Sequence, residues 1–259
     1  MAFTLYSPSE EYYGSDGGVV CYTGGGGKTT SILRLAARLE RNSTVIATTT
    51  TRMAESEVEP ERVLLTKNFP SISSPTFLST VKKVLKACGT VFVFRDISNG
   101  KYAGLSPRDI SFLEALSLAP WVLVEADGAL CKPLKGYAEH EPPLPGRFDC
   151  QVVVVGADAF NTPMNESTTG RFEILQRFLD VERHAVLTPP LLLRLLTSPD
   201  MYLKNSPPCV KRILCINKSD LMNPDALTPW VTYLRLHLLH YHGILVTGRD
   251  EENFYPMDR

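Results

Sequence analysis

Residues 22–30 read YTGGGGKTT, and the fold turns on them. Just upstream lies the apolar run Val19-Val20-Cys21. Downstream, Ile32, Leu33, Leu35, Ala36 and Leu39 recur at helical spacing between Thr29 and Glu40. A buried strand, a glycine turn and a helix start bring backbone N–H groups and the positive end of a helix dipole to one point. Gly24, Gly25, Gly26 and Gly27 let the backbone wrap close to phosphate oxygens. Lys28 can then reach the β- and γ-phosphates, Thr29 can ligate Mg²⁺, and Thr30 follows in the same cradle. The usual P-loop has a glycine five residues before its glycine–lysine pair, and Tyr22 stands there instead. The stretch is therefore a variant P-loop, with Gly24 available to take over the turn. The alternative is a flexible strand–helix turn, but glycine is costly without a reason and four in a row need one.

Working outward, Thr44–Thr49 is β-branched and apolar, a second strand that completes a βαβ unit with parallel strands. Phe77–Ala87, Phe172–Phe178, Pro190–Leu196 and Ala226–His240 read as helices. Ser106-Pro107-Arg108-Asp109 is a helix start with a serine cap. TVFVF at 90–94, WVLVE at 121–125, Gln151–Val155, Arg212–Ile216 and Ile244–Thr247 read as strands. They lack polar alternation, as strands covered on both faces do. Strands alternating with helices predict an α/β fold with a mostly parallel, doubly wound sheet, a P-loop NTPase-like three-layer sandwich. The expectation is a single domain over 1–259, with an N-terminal arm at 1–16 and an inserted functional loop at 128–148. Residues 60–75 and 198–208 look like loose connections.

Three further stretches bear on chemistry. RILCINKSDL, residues 212–221, delivers Asn217-Lys218-Ser219-Asp220 at the carboxyl end of a strand, where α/β sheets bind ligands. In N-K-x-D the Asp carboxylate accepts from guanine N1–H and the exocyclic amine, and the Lys stem covers the ring. Adenine offers no such donor pair, so the motif discriminates strongly. GTP is the first choice and ATP the second; a polar turn with Asp220 as a helix cap is the alternative. Glu125-Ala126-Asp127-Gly128 ends the WVLVE strand, and acids there commonly address Mg²⁺ or position the attacking water. Thr48-Thr49-Thr50-Thr51-Arg52 ends the second strand. Thr50, Thr51 and Arg52 suit a segment that senses the γ-phosphate, although strand propensity also favours threonine.

The bulk numbers narrow the rest. The chain has 259 residues, 21% charged, and a net charge of -1, so no general attraction to nucleic acid or anionic membrane follows. No apolar window is long enough for a membrane span, and Met1–Asp16 has no signal-peptide pattern. The six cysteines form no CxxC pair and read as small buried hydrophobes of a reducing, cytoplasmic setting. Oligomeric state stays open.

The motifs together resemble the YqeC family, described as selenium-dependent hydroxylase accessory proteins. GGGGKTT, TTTTRM, VEADGALCKPLKGYAEHEPPLP, LTPPLLLRLLTSPD and INKSD carry the resemblance across nearly the whole chain. The central string is the most specific. The resemblance implies site roles for Lys132, Lys135, Glu139, His140 and Glu141, which the residues alone leave divided between a functional and a solvated loop. It also points to Arg171, although the histidine expected before that arginine is Gly170 here. It implies an accessory role toward a molybdenum hydroxylase or its cofactor-assembly proteins.

The composite expectation is an Mg²⁺-dependent nucleoside triphosphatase in which Lys28, Glu125 and Asp127 are catalytic. Thr29 with Glu125 or Asp127 holds the metal. Gly24–Gly27, Lys28, Thr29, Thr30, Asn217, Lys218 and Asp220 hold the nucleotide. The alternatives are a small-molecule kinase or nucleotidyl-transferring enzyme, or a protein that binds nucleotide without catalysis.

Overall fold

The glycine loop leaves the end of a strand, β1 (Gly18–Gly24), in the middle of a nine-stranded sheet. The structure is a computed structural model that describes Tyr13, 16–249 and 251–257. The other strands are β2 (Val45–Thr49), β3 (Val63–Leu65), β4 (Thr90–Phe94), β5 (Trp121–Glu125), β6 (Cys150–Gly156), β7 (Lys211–Asn217), β8 (Gly243–Thr247) and β9 (Glu252–Pro256). Their order is β9-β8-β7-β6-β1-β5-β2-β4-β3. The neighbours pair in parallel except β9, which runs antiparallel to β8.

Side chains alternate along β1, and each face meets its own helices. Val20 and Tyr22 face α1 (Lys28–Leu39), which packs through Ile32, Leu35, Ala36 and Leu39. Val19 and Cys21 face the other way, toward α2 (Pro75–Cys88) and α3 (Pro107–Ala115). On that same face, α4 (Phe172–Leu179), α5 (Pro189–Thr197) and α6 (Pro224–His237) cover Val153, Val155, Leu214 and Ile216. The result is an α/β sandwich of three layers, consistent with a P-loop NTPase-like architecture. Among the described residues no helix is long and apolar enough to cross a membrane.

Tyr22 now has a physical account. The strand continues to Gly24, so position 22 is a strand position, and its ring is buried beneath α1. The turn begins two residues later than in the usual motif. Gly24, Gly26 and Gly27 all carry positive φ. At Gly27 (φ 109°) a Cβ would also overlap the Asn217 amide.

β1 and β2 are parallel, as expected of the βαβ unit, and β5 lies between them and pairs with both. Three expectations need correction. Residues 60–75 are not wholly loose, since Val63–Leu65 forms the sheet's far edge strand. The strand at 243–247 is followed by another, Glu252–Pro256, whose polar and aromatic sequence hides its edge position. The cysteines divide: Cys21, Cys150 and Cys215 are buried in strands, whereas Cys131 and Cys209 are exposed. The 1–16 arm lies outside the described residues except for Tyr13 and Asp16.

Candidate nucleotide site

Parallel strands deliver the predicted residues to one edge. β1 ends in the glycine loop, β5 in Glu125, β2 in Thr49, and β7 in Asn217. The α1 helix starts at Lys28, so its first-turn amides have no intrahelical partner and face that edge. Asn217 is buried and joins two parts of the site: its Nδ2 donates to Gly26 O (2.7 Å). Thr247 Oγ1 donates to Asn217 Oδ1 (2.8 Å) and fixes the amide's orientation. The N-K-x-D segment is thereby tied to the glycine loop.

Lys218 adopts a left-handed conformation (φ 61°), and its Nζ donates to Asp158 Oδ2 (2.7 Å). Asp220 is exposed. It lines a cavity of about 430 Å³ between α6 and the β8–β9 edge, with Ser219, Thr228, Gly248 and Asn253.

Lys28 is buried and turned inward. Its ammonium donates to Gly24 O (2.6 Å) and lies 3.0 Å from Asp127 Oδ1. Asp127 is fully buried, and its Oδ2 accepts the Gly24 N–H (3.0 Å). Oδ1 has no aligned hydrogen-bond donor among the described residues.

Thr29 Oγ1 donates to Glu125 Oε2 (2.8 Å). Burial pushes the Glu125 carboxyl above its usual value, and Lys28 and the Thr29 hydroxyl offset part of that. A buried carboxylate in contact with a hydroxyl, with incomplete compensation, fits a small hard cation. No group of three His, Cys, Asp or Glu side chains forms a metal cage among the described residues. Mg²⁺ takes one or two protein carboxylates and completes its sphere with water and phosphate; Glu125, beside the Thr29 hydroxyl, offers one such carboxylate. Asp127, the other acid expected at the metal, directs its oxygens to the Gly24 N–H and the Lys28 ammonium.

The threonine segment is wired to the same strand end. Thr49 Oγ1 and the Thr50 N–H both donate to Glu125 O (2.9 Å each), and Thr51 Oγ1 lies 3.2 Å from Thr49 Oγ1. Arg52 is exposed on a short strand, Arg52–Ala54, and reaches none of these groups. Thr30 sits in the first turn of α1.

The 128–148 loop is less solvated than its composition suggests. Leu134–Lys135 forms a two-residue ladder with Thr169–Gly170. The Pro133 carbonyl accepts from Gly156 N (2.9 Å) and the Lys132 carbonyl from Gly26 N (2.8 Å). The Lys132 ammonium donates to the carbonyls of Glu166 and Thr169. Lys135 is fully buried: its Nζ lies 2.9 Å from Glu141 Oε1 and 3.8 Å from Asp127 Oδ2. Arg171 Nε completes the chain at 2.7 Å from Glu141 Oε2. Glu139 and His140 are exposed and are not brought into it. Sequence reading missed Thr247 and Asp158, which orient Asn217 and Lys218. It also missed Tyr137, which is buried beside the Lys135 ammonium. Lone polar residues at strand ends give no spacing signal.

Glu141 yields a pH expectation. Burial would raise its carboxyl, but hydrogen bonds from Arg171, Lys135 and the Ala138 N–H pull it from 4.5 to about 2. A depressed carboxylate stabilises the fold above its unfolded pKa and loses that contribution as pH falls toward the folded one. The urea-unfolding stability gap between wild type and Glu141→Gln should therefore narrow as pH drops from about 5 toward 3. A gap independent of pH would mean that Glu141 is not held by these cations.

With this geometry in place, comparison with known proteins is informative. The family model described as YqeC protein matches residues 20–173, more than half of the chain. The chain belongs to the YqeC family. Its match to "Uncharacterized protein YqeC" of Escherichia coli (strain K12) is 28% identical over 121 residues. That alignment covers 47% of this chain and 47% of the relative, so the chain spans about half the length of the curated protein it matches. The YqeC match takes in the glycine loop, Glu125, Asp127, the 128–148 loop and Arg171, and stops short of Asn217-Lys218-Ser219-Asp220.

Proposed function

We propose that this protein binds a nucleoside triphosphate with Mg²⁺, GTP before ATP, and hydrolyses it slowly. The observation that carries the reading is the Asn217 Nδ2 bond to Gly26 O. It joins the Asn217-Lys218-Ser219-Asp220 segment to the glycine loop at one strand edge, which supports a single nucleotide reaching both. Gly24–Gly27 and the first-turn amides of α1 would cradle phosphates, and Lys28 would turn outward from Gly24 O and Asp127 to neutralise them. Thr29 and Glu125 would hold Mg²⁺, which would supply charge neutralisation on the phosphates. Asn217 is preset by Thr247, and Asp220 is exposed and open to a base.

The YqeC assignment suggests an accessory role. By resemblance, we read the client as a selenium-dependent molybdenum hydroxylase or its cofactor-assembly proteins, in the cytoplasm. A switch built from the threonine segment and the 128–148 loop would report the nucleotide state, since both are hydrogen-bonded to the glycine loop or to Glu125. The kinase alternative would hold an acceptor with Lys132, Lys135 and His140; both lysines are engaged by protein oxygens, and His140 alone is exposed.

Product analysis tests the reading. Incubation with GTP, Mg²⁺ and water alone should release inorganic phosphate at a slow rate. Release that requires an added acceptor would replace hydrolysis by transfer. Tight binding with no product would leave a non-catalytic nucleotide-binding protein.

A further inference from the structure

We propose that Lys135 is a positioning residue of the phosphate site, which holds the Asp127 carboxylate when Lys28 leaves it for a phosphate. The inference rests on the nucleotide reading above. Asp127 is wholly buried between two ammonium groups, Lys28 at 3.0 Å on Oδ1 and Lys135 at 3.8 Å on Oδ2. Both lysines are buried as well.

Lys28 cannot serve a phosphate and Asp127 at full strength together. A buried carboxylate stripped of its cation is strongly destabilised. Without a second cation, each nucleotide-binding event would therefore carry that penalty. Lys135 is the second cation, and its separation of 3.8 Å leaves room to close on Oδ2. A merely structural lysine would not need to lie against a carboxylate already paired with the P-loop lysine.

Its own anchoring supports the exchange. The Lys135 backbone N–H donates to Tyr202 OH (3.2 Å), and Leu134–Lys135 is laddered to Thr169–Gly170. Its ammonium lies 5.3 Å from the Tyr137 ring centroid. Glu141 holds the other side of the ammonium, and Arg171 holds Glu141. The backbone is thus fixed while the charged end is shared between two carboxylates. A shift toward Asp127 would loosen Glu141 and Arg171, so the charge chain also links the phosphate site to the 136–141 segment. Upstream of Lys135, the chain meets the glycine loop directly at Lys132. Gly25 has no side chain where a Cβ would sit 2.6 Å from Lys132 O, and Gly26 N–H is bonded to that carbonyl.

The test compares GTP and GMP affinity in wild type, Lys135→Met, Lys135→Arg, Asp127→Asn and Lys135→Met/Asp127→Asn, by calorimetry. Lys135→Met should weaken GTP at least tenfold and leave GMP within twofold, because Lys28 serves the β- and γ-phosphates. Lys135→Arg should recover most of the loss. In the Asp127→Asn background, where no charge needs holding, Lys135→Met should have no further effect. The double variant removes both members of the Lys135–Asp127 pair, so it keeps the comparison with Asp127→Asn available if Lys135→Met alone fails to fold. Equal losses of GTP and GMP, or an undiminished Lys135→Met effect in the Asp127→Asn background, would overturn the proposal. Wild type that binds no nucleotide would instead defeat the reading beneath it.

Discussion

Lys28→Ala should weaken GTP binding by about 100-fold or more, the loss expected when one partner of a desolvated charge pair is removed. The residue begins α1 at the end of the glycine loop and already sits among backbone oxygens and a buried acid. Truncation also strands Asp127, and breaking a buried pair costs roughly 3–5 kcal/mol. The stability loss should be smaller than that, because Lys135 stays 3.8 Å away. Lys28→Ala/Asp127→Asn removes both charges and serves as the folding control. It should recover stability and still bind GTP as weakly as Lys28→Ala. Unchanged GTP affinity in Lys28→Ala, measured by calorimetry on folded protein, would count against the site as a whole.

Asp220→Asn should loosen GTP by about 100-fold and improve xanthosine triphosphate, because an amide can donate where xanthine presents a carbonyl. The exchange of preference matters more than the loss. Asp220 is exposed and faces a cavity rather than the core, so its substitution should leave stability within about 0.5 kcal/mol. Equal weakening of both nucleotides would assign Asp220 a structural role. No effect on either would move the base elsewhere on the rim, with adenine then the first candidate to test.

Much of the architecture was legible because parallel strands buried on both faces leave unbroken apolar runs. WVLVE and the runs at 151–155 and 212–216 mark β5, β6 and β7 to within a residue or two. Strand order was not legible, since β5 enters between β1 and β2 by long-range pairing that no local pattern encodes. Edge strands failed for a different reason. Val63–Leu65 is too short for periodicity, and Glu252–Pro256 is partly exposed and polar.

The site divides in the same way. Lys28, Thr29, Glu125 and Asn217 were predicted from motifs, and the fold brings them to one edge with direct contacts. The resemblance implied site roles for Lys135, Glu141 and Arg171, but the ionic chain that joins them was not legible, because its partners lie 6 and 30 residues apart. Composition leaves that loop divided between a functional and a solvated one, and the fold buries Lys135 and Glu141. Glu139 and His140, adjacent in sequence to Glu141, are exposed and stay outside the chain.

The central claim is that one nucleotide spans the glycine loop and the Asn217–Asp220 segment. Calorimetric titration of the full chain with GTP, ATP and CTP, each with and without Mg²⁺, tests it most directly. Saturable one-to-one binding of GTP that Mg²⁺ strengthens is expected, with weaker ATP and no measurable CTP. Equal affinity for all three nucleotides, or no heat with any of them in the presence of Mg²⁺, would contradict it.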